Sequence, residues 1–154
     1  GTVSISVKSV DVEKVVKEIL DAMEHQKKMG DISTIVEPLP DCKGDVRMLD
    51  HVFSNLIGNA IKYRDPDRKS YIKISGWVEE DKSIYCVEDN GIGIAPDYQK
   101  KIFEIFHRLN PEGPKGEGLG LTIVMRVMDR LGGRVWLESE PGMGSKFYVS
   151  LPTA

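Results

Sequence analysis

Asn55-Leu-Ile-Gly-Asn59-Ala-Ile-Lys62-Tyr63 is the segment from which the fold of this chain can be worked out. It closes a helix predicted from about residue 46 to residue 63, whose apolar residues recur at helical spacing and face the core. At about 100° per residue, the polar side chains share an arc of about 100° on the opposite side: Asn55, Asn59, Lys62 and Tyr63. Amide oxygens suit a hydrated Mg²⁺, an ammonium suits phosphate, and a phenol can pack on a base. The alternative for this helix alone is a solvated polar face.

The hydrophobic pattern on either side of this helix predicts an alternation of strands and helices. Strands are expected near residues 3–7, 32–36, 72–78, 84–88, 135–139 and 146–151, with a loop at 38–44. Helices are expected at about 12–30, 46–63, 96–106 and 119–131, with a mobile loop over 107–117. The pattern predicts one domain over residues 1–154, an α/β sandwich of two layers. We expect a mixed, mainly antiparallel sheet of about five strands, covered on one face by about three helices.

Composition narrows the class of protein. The 154 residues are 40% apolar and 29% charged, which is ordinary for a globular domain that can bury its own core. A net charge of −3 without a basic tail argues against nucleic acid as the main partner. Cys42 and Cys86 lack metal-ligand spacing, so we expect reduced structural thiols. No apolar run is long enough to span a membrane, and we expect a cytoplasmic location for this segment, whether or not its parent protein is membrane-anchored.

A carboxylate stands at the end of the strand predicted at 84–88. The segment reads Asp89-Asn-Gly91-Ile-Gly93-Ile94, and its glycines allow the backbone to approach a ligand closely. A carboxylate in this position can accept a hydrogen bond from the exocyclic amine of adenine. Guanine would present a carbonyl there, so Asp89 favours ATP over GTP. The alternative is an ordinary Asp-Asn-Gly turn.

A second glycine-rich segment, Gly-Glu-Gly-Leu-Gly-Leu at 116–121, opens the helix predicted at 119–131. The free N–H groups of a helix start attract anions. The segment is neither a P-loop nor a Rossmann fingerprint, because GxxxxGK[ST] is absent and no strand leads into it. Arg108 and Lys115 precede it and are cations able to lie over phosphates. A glycine-rich helix entry without a ligand is the alternative.

Taken together, these segments resemble the catalytic, ATP-binding domain of sensor histidine kinases. That domain belongs to the GHKL group, which includes gyrase, mismatch-repair and heat-shock-chaperone ATPases. The resemblance covers nearly all 154 residues, and the family's sequence boxes occur in order: the N box at 55–63, the first glycine box at 89–94, the F box at 102–106, the second glycine box at 116–121 and a closing G-x-G-[ST]-x-F motif at 142–147. It implies the Bergerat fold of the GHKL proteins.

The resemblance implies that the chain binds Mg-ATP. Asn59 would bind Mg²⁺, with Asn55 as a second candidate. Lys62 would contact phosphate, while Tyr63 would stack near the nucleoside. Arg108 would reach the terminal phosphate, and together with Asn59 and Lys62 it forms the implied catalytic set.

The resemblance also implies the parts of a base pocket and a lid. Asp89 would hold adenine directly and, with Ser145, through water. Gly91, Gly93 and Ile94 would form the pocket wall. The lid would contribute a set of nucleotide-binding residues, its glycines acting as hinges: Lys115, Gly116, Gly118, Leu119, Gly120 and Leu121.

Two features of the lid depart from the family pattern. Glu117 stands where an uncharged residue is usual, and a carboxylate beside polyphosphate is repulsive unless it faces solvent or meets the metal ion. The lid is also short for the family. Phe103 and Phe106 of the F box would anchor it, a role that is compatible with core packing.

The residue one turn before Asn59 indicates the reaction subclass. The ATPases and serine kinases of the group carry a glutamate there as general base, whereas this chain has Asn55, an amide without useful basicity. A neutral imidazole already has a nucleophilic lone pair. We therefore expect phosphoryl transfer to a histidine rather than hydrolysis. The alternatives are a GHKL ATPase or serine kinase, and a degenerate nucleotide-binding module with a regulatory role.

The acceptor histidine is expected on another domain. His25, His51 and His107 all lack the family's H-[DE]-x-x-[TN]-P context. We expect the chain to be the monomeric catalytic domain of a longer, dimeric kinase. Its partners would be ATP, a histidine-bearing dimerisation and phosphoacceptor domain of the same kinase, and a response regulator downstream.

Overall fold

The computed structural model describes the backbone of residues 4–108 and 121–154 and the side chains of residues 4–102 and 121–154. The strands are β1 (Lys8–Val10), β2 (Ile32–Val36), β3 (Cys42–Gly44), β4 (Ser70–Glu79), β5 (Lys82–Asp89), β6 (Arg134–Glu140) and β7 (Gly144–Pro152). The helices are α1 (Val12–Ala22), α2 (Glu24–Met29), α3 (Val46–Lys62), α4 (Pro96–Arg108) and α5 (Leu121–Arg130).

The main sheet has five strands in the order β2-β4-β5-β7-β6. Its first pair, β2 with β4, is parallel, and the other three pairs are antiparallel. The predicted mixed, mainly antiparallel sheet of about five strands is confirmed. β5 lies at its centre, so both edges of β5 are paired and its last residue is fixed from both sides.

The helices pack against one face of this sheet. α3 contacts α1, α5 and β5, and the ring of Phe53 meets that of Tyr85 edge-on, with centroids 5.6 Å apart. Both rings are fully buried. The opposite face carries a partly exposed aromatic cluster, in which Trp136 stacks on Tyr148. α3 is therefore the element that joins the two layers.

Three sequence predictions need correction at the N-terminal end. Residues 4–7 form no strand; instead β1 starts at Lys8 and pairs with β3, which lies in the segment predicted as a loop. Strands of three residues are too short to leave a pattern in sequence. The predicted helix at 12–30 is interrupted at Met23 and continues as α2, which buries none of its residues and so has no apolar stripe to keep it aligned with α1.

The two cysteines are free and buried, as expected for structural thiols. Burial raises the pKa of Cys42 and of Cys86 to about 11, so both thiols remain protonated near neutral pH. Among the described helices, none combines the length and the apolar character needed to cross a bilayer.

The start of α3 depends on one buried carboxylate. Asp45, only 2% exposed, caps the helix and accepts hydrogen bonds from the backbone N–H groups of Ser6, Arg47 and Met48 at 2.8, 3.0 and 3.3 Å. These donors lower the pKa of Asp45, the bond from Ser6 most strongly. The cap therefore also fastens the N-terminal segment to the helix that carries the polar stripe.

We expect Asp45→Ala to lower the free energy of unfolding by about 2–3 kcal/mol, because it removes a cap and leaves buried donors without an acceptor. The exposed α1 cap, Asp11, accepts only from the N–H of Lys14 at 3.1 Å, so Asp11→Ala is the matched control and should cost about 1 kcal/mol. Urea unfolding at pH 7 measures both. Because the pKa of Asp45 is lowered, its contribution is present at neutral pH and is lost as the pH falls through that lowered value. Equal losses for the two variants would contradict the assignment.

Candidate functional site

The site is organised around the last residue of the central strand. Asp89 ends β5 and pairs with Ile72 of β4 on one side and with Ser145 of β7 on the other. Because strand side chains alternate, Asp89 points to the same face as the buried Val87, towards the helical layer. The sheet thus directs a carboxylate into the space between its two layers, below the end of α3.

Burial dominates the electrostatics of this carboxylate. It raises the pKa of Asp89 from an ordinary value to about 6, while backbone groups of Gly91 and Ser145 act in the opposite direction. The Gly91 N–H donates to Oδ1 of Asp89 at 2.8 Å. Asp89 is therefore ionised at neutral pH and remains an incompletely satisfied acceptor, able to take a hydrogen bond from a ligand.

A cavity of about 250 Å³ opens beside Asp89. Its walls are mostly apolar, and its lining comprises Asn59, Tyr63, Asp89, Ile92, Gly93, Ile94, Ala95, Tyr98, Ser145 and Phe147. This volume is below the roughly 300–1,000 Å³ of sites that enclose whole drug-sized ligands. A cavity of this size and composition fits a flat heteroaromatic ring, with the remainder of a larger ligand outside.

The polar stripe of α3 divides into two parts at this cavity. Asn59 and Tyr63 line it. Lys62 lies beside it on the exposed side of the helix end, its ammonium 5.3 Å from the centroid of the Tyr63 ring. Asn55 lies one turn earlier and its amide nitrogen donates to the carbonyl of His51 at 2.6 Å, which leaves the amide oxygen turned away from that bond. The stripe therefore leads from the cavity along the helix surface.

The two glycines of the first glycine box have different structural roles. Gly93 lines the cavity and has a φ of 74°, a conformation that side chains rarely adopt. Gly91 does not line the cavity; a Cβ there would overlap the carbonyl oxygen of Tyr63. Gly91 is thus required by the close approach of the loop to the end of α3, a reason different from the ligand approach expected from sequence.

Hydroxyl groups support the wall of the cavity next to Asp89. The hydroxyl oxygen of Ser139 accepts from the N–H of Ile94 at 2.8 Å and lies 2.8 Å from the carbonyl of Gly144, to which it donates. It also lies 2.7 Å from the hydroxyl of Ser145. Since Ser139 gives its own proton to Gly144, Ser145 is the donor of this last bond. The oxygen of Ser145 then faces the cavity as an acceptor, suited to water or a ligand donor.

Several lining residues had no signal in the sequence. Tyr98 and Ala95 come from α4 and the residues just before it, and no motif marks them. Phe147 stands in the closing motif at 142–147, which points to its strand but does not reveal that it faces the cavity. Ser139, on the neighbouring strand β6, does not line the cavity but hydrogen-bonds to the lining residues Ile94 and Ser145, and the sequence pattern indicates only its strand.

Some expected site residues lie elsewhere or outside the described residues. Leu121 starts α5 and is buried in the core, 1% exposed. Arg108 closes α4, but its side chain, like those of Phe103 and Phe106, falls outside the described part. The same holds for the whole segment 109–120, which contains the remaining lid residues: Lys115, Gly116, Gly118, Leu119 and Gly120.

The sequence is similar to a defined family and to curated signalling proteins. Residues 44–154 match the family described as histidine kinase-, DNA gyrase B- and HSP90-like ATPase. The chain is 40% identical over 143 residues to the phytochrome-like protein Cph1 of Synechocystis sp., covering 92% of this chain and 19% of that protein. It is 30% identical over 155 residues to the sensor protein RprX of Bacteroides fragilis, covering 97% and 30%. The chain spans about a fifth of the length of the cyanobacterial phytochromes that it matches.

Solved structures show the same fold. Full-length ShkA in complex with AMPPNP superposes with a TM-score of 0.81 at 28% identity, covering 100% of this chain and 32% of that one. The nucleotide-free catalytic domain of the histidine kinase ThkA superposes with a TM-score of 0.80 at 22% identity, covering 96% of both chains, and supports the fold alone. The resemblance to histidine kinase catalytic domains and the expected fold are confirmed.

We expect Asp89→Asn to stabilise the domain and to abolish binding of adenosine. The raised pKa means that folding disfavours the ionised form of Asp89. The resulting loss in the free energy of unfolding develops as the pH rises from about 4 to about 6 and is constant at higher pH. A neutral amide keeps an acceptor for the Gly91 N–H but offers no carboxylate to adenine. Urea unfolding at pH 5 and pH 8 measures the first effect, and calorimetric titration measures the second. A gain in stability no larger at pH 8 than at pH 5 would contradict this account.

The affinity of the unaltered chain for adenosine should fall in acid. An exocyclic amine donates more strongly to an ionised carboxylate than to its protonated form, whose O–H group is itself a donor, and the pKa of Asp89 is about 6. The dissociation constant should therefore rise about tenfold between pH 7 and pH 5. Adenosine is the suitable ligand because it carries no phosphate that titrates in this range. A constant affinity from pH 5 to pH 8 would show that the ionised carboxylate does not hold the base.

Proposed function

Because this chain belongs to the family of histidine kinase-, DNA gyrase B- and HSP90-like ATPases, we propose that it binds Mg-ATP and transfers the γ-phosphate to a histidine on a separate domain. The observation that carries the proposal is the convergence of Asp89, Asn59 and Tyr63 on one cavity. Asp89 comes from the central strand, Asn59 from α3, the element that joins the two layers, and Tyr63 from the C-cap of that helix. A base, a sugar and a phosphate chain can then be placed along one line, from the cavity to the polar stripe.

The adenine ring would lie in the cavity. Its exocyclic amine would donate to the ionised Asp89, while apolar side chains such as Ile94 and Phe147 pack on its faces. Ser145 presents an acceptor beside Asp89, which suits a bridging water. Guanine would place a carbonyl against two acceptors, so the site favours adenine nucleotides.

The residues present fit a magnesium ion that is held mainly by the nucleotide. Within the described ranges there is no group of three or more His, Cys, Asp or Glu side chains that could enclose a metal ion. Mg²⁺ commonly keeps several waters and binds through few protein oxygens plus substrate phosphates. Asn59 would supply such an oxygen, with Asn55 as the second candidate. When bound, the ion would neutralise charge on the phosphates.

The protein groups along the stripe would position the phosphates. Lys62, on the exposed side of α3, would meet them as a point charge. Arg108 and the segment at 115–121 would cover them as the lid. The polar residues of the stripe contain no carboxylate one turn before Asn59, so the chain has no base there to activate water.

The reaction follows from this arrangement. A lone pair of a neutral imidazole would form a bond to the γ-phosphorus while the bond to the bridging oxygen breaks and ADP leaves. His25 and His51 are exposed residues of α2 and α3 and stand outside an acceptor motif. The acceptor would belong to a dimerisation and phosphoacceptor domain of the same parent protein, with this chain itself monomeric and cytoplasmic.

The downstream partner would be a response regulator. The histidine kinase ThkA, whose fold this chain shares at a TM-score of 0.78, has been solved in complex with the response regulator protein TrrA. A parent kinase of this chain would pass its phosphate to such a protein. This step lies beyond the catalytic domain itself.

Mixing the chain with a helical hairpin domain that bears the acceptor histidine, and with γ-labelled ATP, should produce acid-labile, base-stable phosphate on the hairpin. Asn59→Ala should reduce the transfer at least about a hundredfold, since positioning and charge neutralisation supply most of the catalysis. His25→Ala and His51→Ala are the controls and should leave the transfer unchanged. The proposal would be refuted by label that stays on this chain. It would also be refuted by rapid ATP hydrolysis at a rate that is the same with and without the hairpin domain.

A further inference from the structure

We propose that Arg68 is a positioning residue of the base pocket: it ties the loop after β5 to the turn between β6 and β7 and so fixes the direction of Asp89. The proposal rests on the proposed adenine-binding function. Arg68 lies in the connection between α3 and β4 and is not part of the cavity lining. It would act through backbone that other residues of the site depend on.

Its guanidinium contacts the loop after β5, the turn between β6 and β7, and a residue of its own connection between α3 and β4. Nη2 donates to the carbonyl of Gly91 at 3.0 Å and to the carbonyl of Gly142 at 2.6 Å. The same nitrogen lies 3.1 Å from the carboxylate of Asp65. Hydrogen bonds from a charged donor are stronger than neutral ones. The side chain of Arg68 is 35% exposed, so these bonds are partly shielded from water.

The segments that Arg68 joins also contact one another. The N–H of Ile92 donates to the carbonyl of Tyr63 at 3.0 Å, and the N–H of Gly142 donates to the carbonyl of Ile92 at 2.7 Å. The end of α3, the loop and the turn thus form a continuous chain of backbone hydrogen bonds. Arg68 connects the loop and the turn a second time, through a side chain.

Gly91 transmits the effect to the pocket. Its N–H donates to Oδ1 of Asp89 at 2.8 Å, while its carbonyl accepts from Arg68. A shift of Gly91 would therefore change the direction in which Asp89 points. The loop continues into Gly93 and Ile94, which form the cavity wall. Loss of the guanidinium should misplace both the acceptor for the base and the wall beside it.

The competing interpretation is that Arg68 contacts phosphate. In the sequence it stands in a basic cluster with Lys62, Arg64 and Lys69 that suits polyphosphate. The structure gives its guanidinium other partners, two carbonyls and a carboxylate. A residue that acts on the base pocket must change the affinity for adenosine and for ADP equally. A residue that contacts phosphate would change only the affinity for ADP.

The test compares adenosine and ADP as ligands of Arg68→Ala, Arg68→Lys and the control Arg134→Ala, an exposed arginine on β6 outside the adenine cavity. Calorimetric titration of the 154-residue chain should show that Arg68→Ala raises the dissociation constants of adenosine and of ADP by a similar factor of about ten. Arg68→Lys should restore part of the affinity, because an ammonium can still donate to one of the carbonyls. Arg134→Ala should change neither ligand.

Each other result has a distinct meaning. If Arg68→Ala loses affinity for ADP but not for adenosine, Arg68 is a phosphate contact. If the variant loses thermal stability without losing affinity for either ligand, the role of Arg68 is purely structural. Both results overturn the proposal. If Arg68→Ala does not fold, Arg68→Lys decides: a common loss for both ligands supports the proposal and unchanged affinities overturn it. Failure of the unaltered chain to bind adenosine would overturn the proposed function, and this inference with it.

Discussion

Placing a carboxylate at the end of a central strand, between two layers, is the constraint from which the rest of the site follows. Asp89 is half-buried, and a charge partly removed from water needs compensation; the backbone donors near it supply only part of that, as its raised pKa shows. Folding therefore bears a cost that a ligand donor can reduce. Under the proposed function, the stability of the fold and the affinity of the site are opposed at this residue, which is common where function requires a charge in a partly buried place.

The surrounding structure keeps that carboxylate in place by close backbone packing. Asp89 is held between Ile72 and Ser145 in the sheet, while the loop after it contacts the end of α3 through Tyr63. Such approaches exclude side chains, and Gly91 has no room for a Cβ. The glycine box is thus as much a packing requirement as a ligand-binding one, and the apolar walls of the cavity come from the same packed elements.

The sequence predicted those helices and strands that are long enough to show a repeating hydrophobic pattern. The stripe of α3, the central strands and the closing pair β6 and β7 follow from hydrophobic spacing, and the resemblance placed Asp89 and Asn59 in one site. Contacts between segments distant in sequence leave no such pattern. The pairing of β1 with β3, the cavity position of Tyr98 and the bonds of Arg68 depend on how loops meet in space. A basic cluster in sequence does not reveal which of its members already has partners in the fold.

The residue one turn before Asn59 is Asn55, so the chain has no carboxylate at that position to act as a general base. A carboxylate there would activate water next to the phosphates, whereas an amide can only accept or donate hydrogen bonds. Under the proposed function, the half-buried end of β5 and the packed glycine loop hold the base in place. Under the proposed function the nucleophile belongs to another domain, and an imidazole is suited to this because it needs no activation near neutral pH. Under the proposed function, rate is controlled by whether the acceptor is brought to the phosphate, so a domain of this kind can wait with its nucleotide bound until the remainder of the protein presents the histidine.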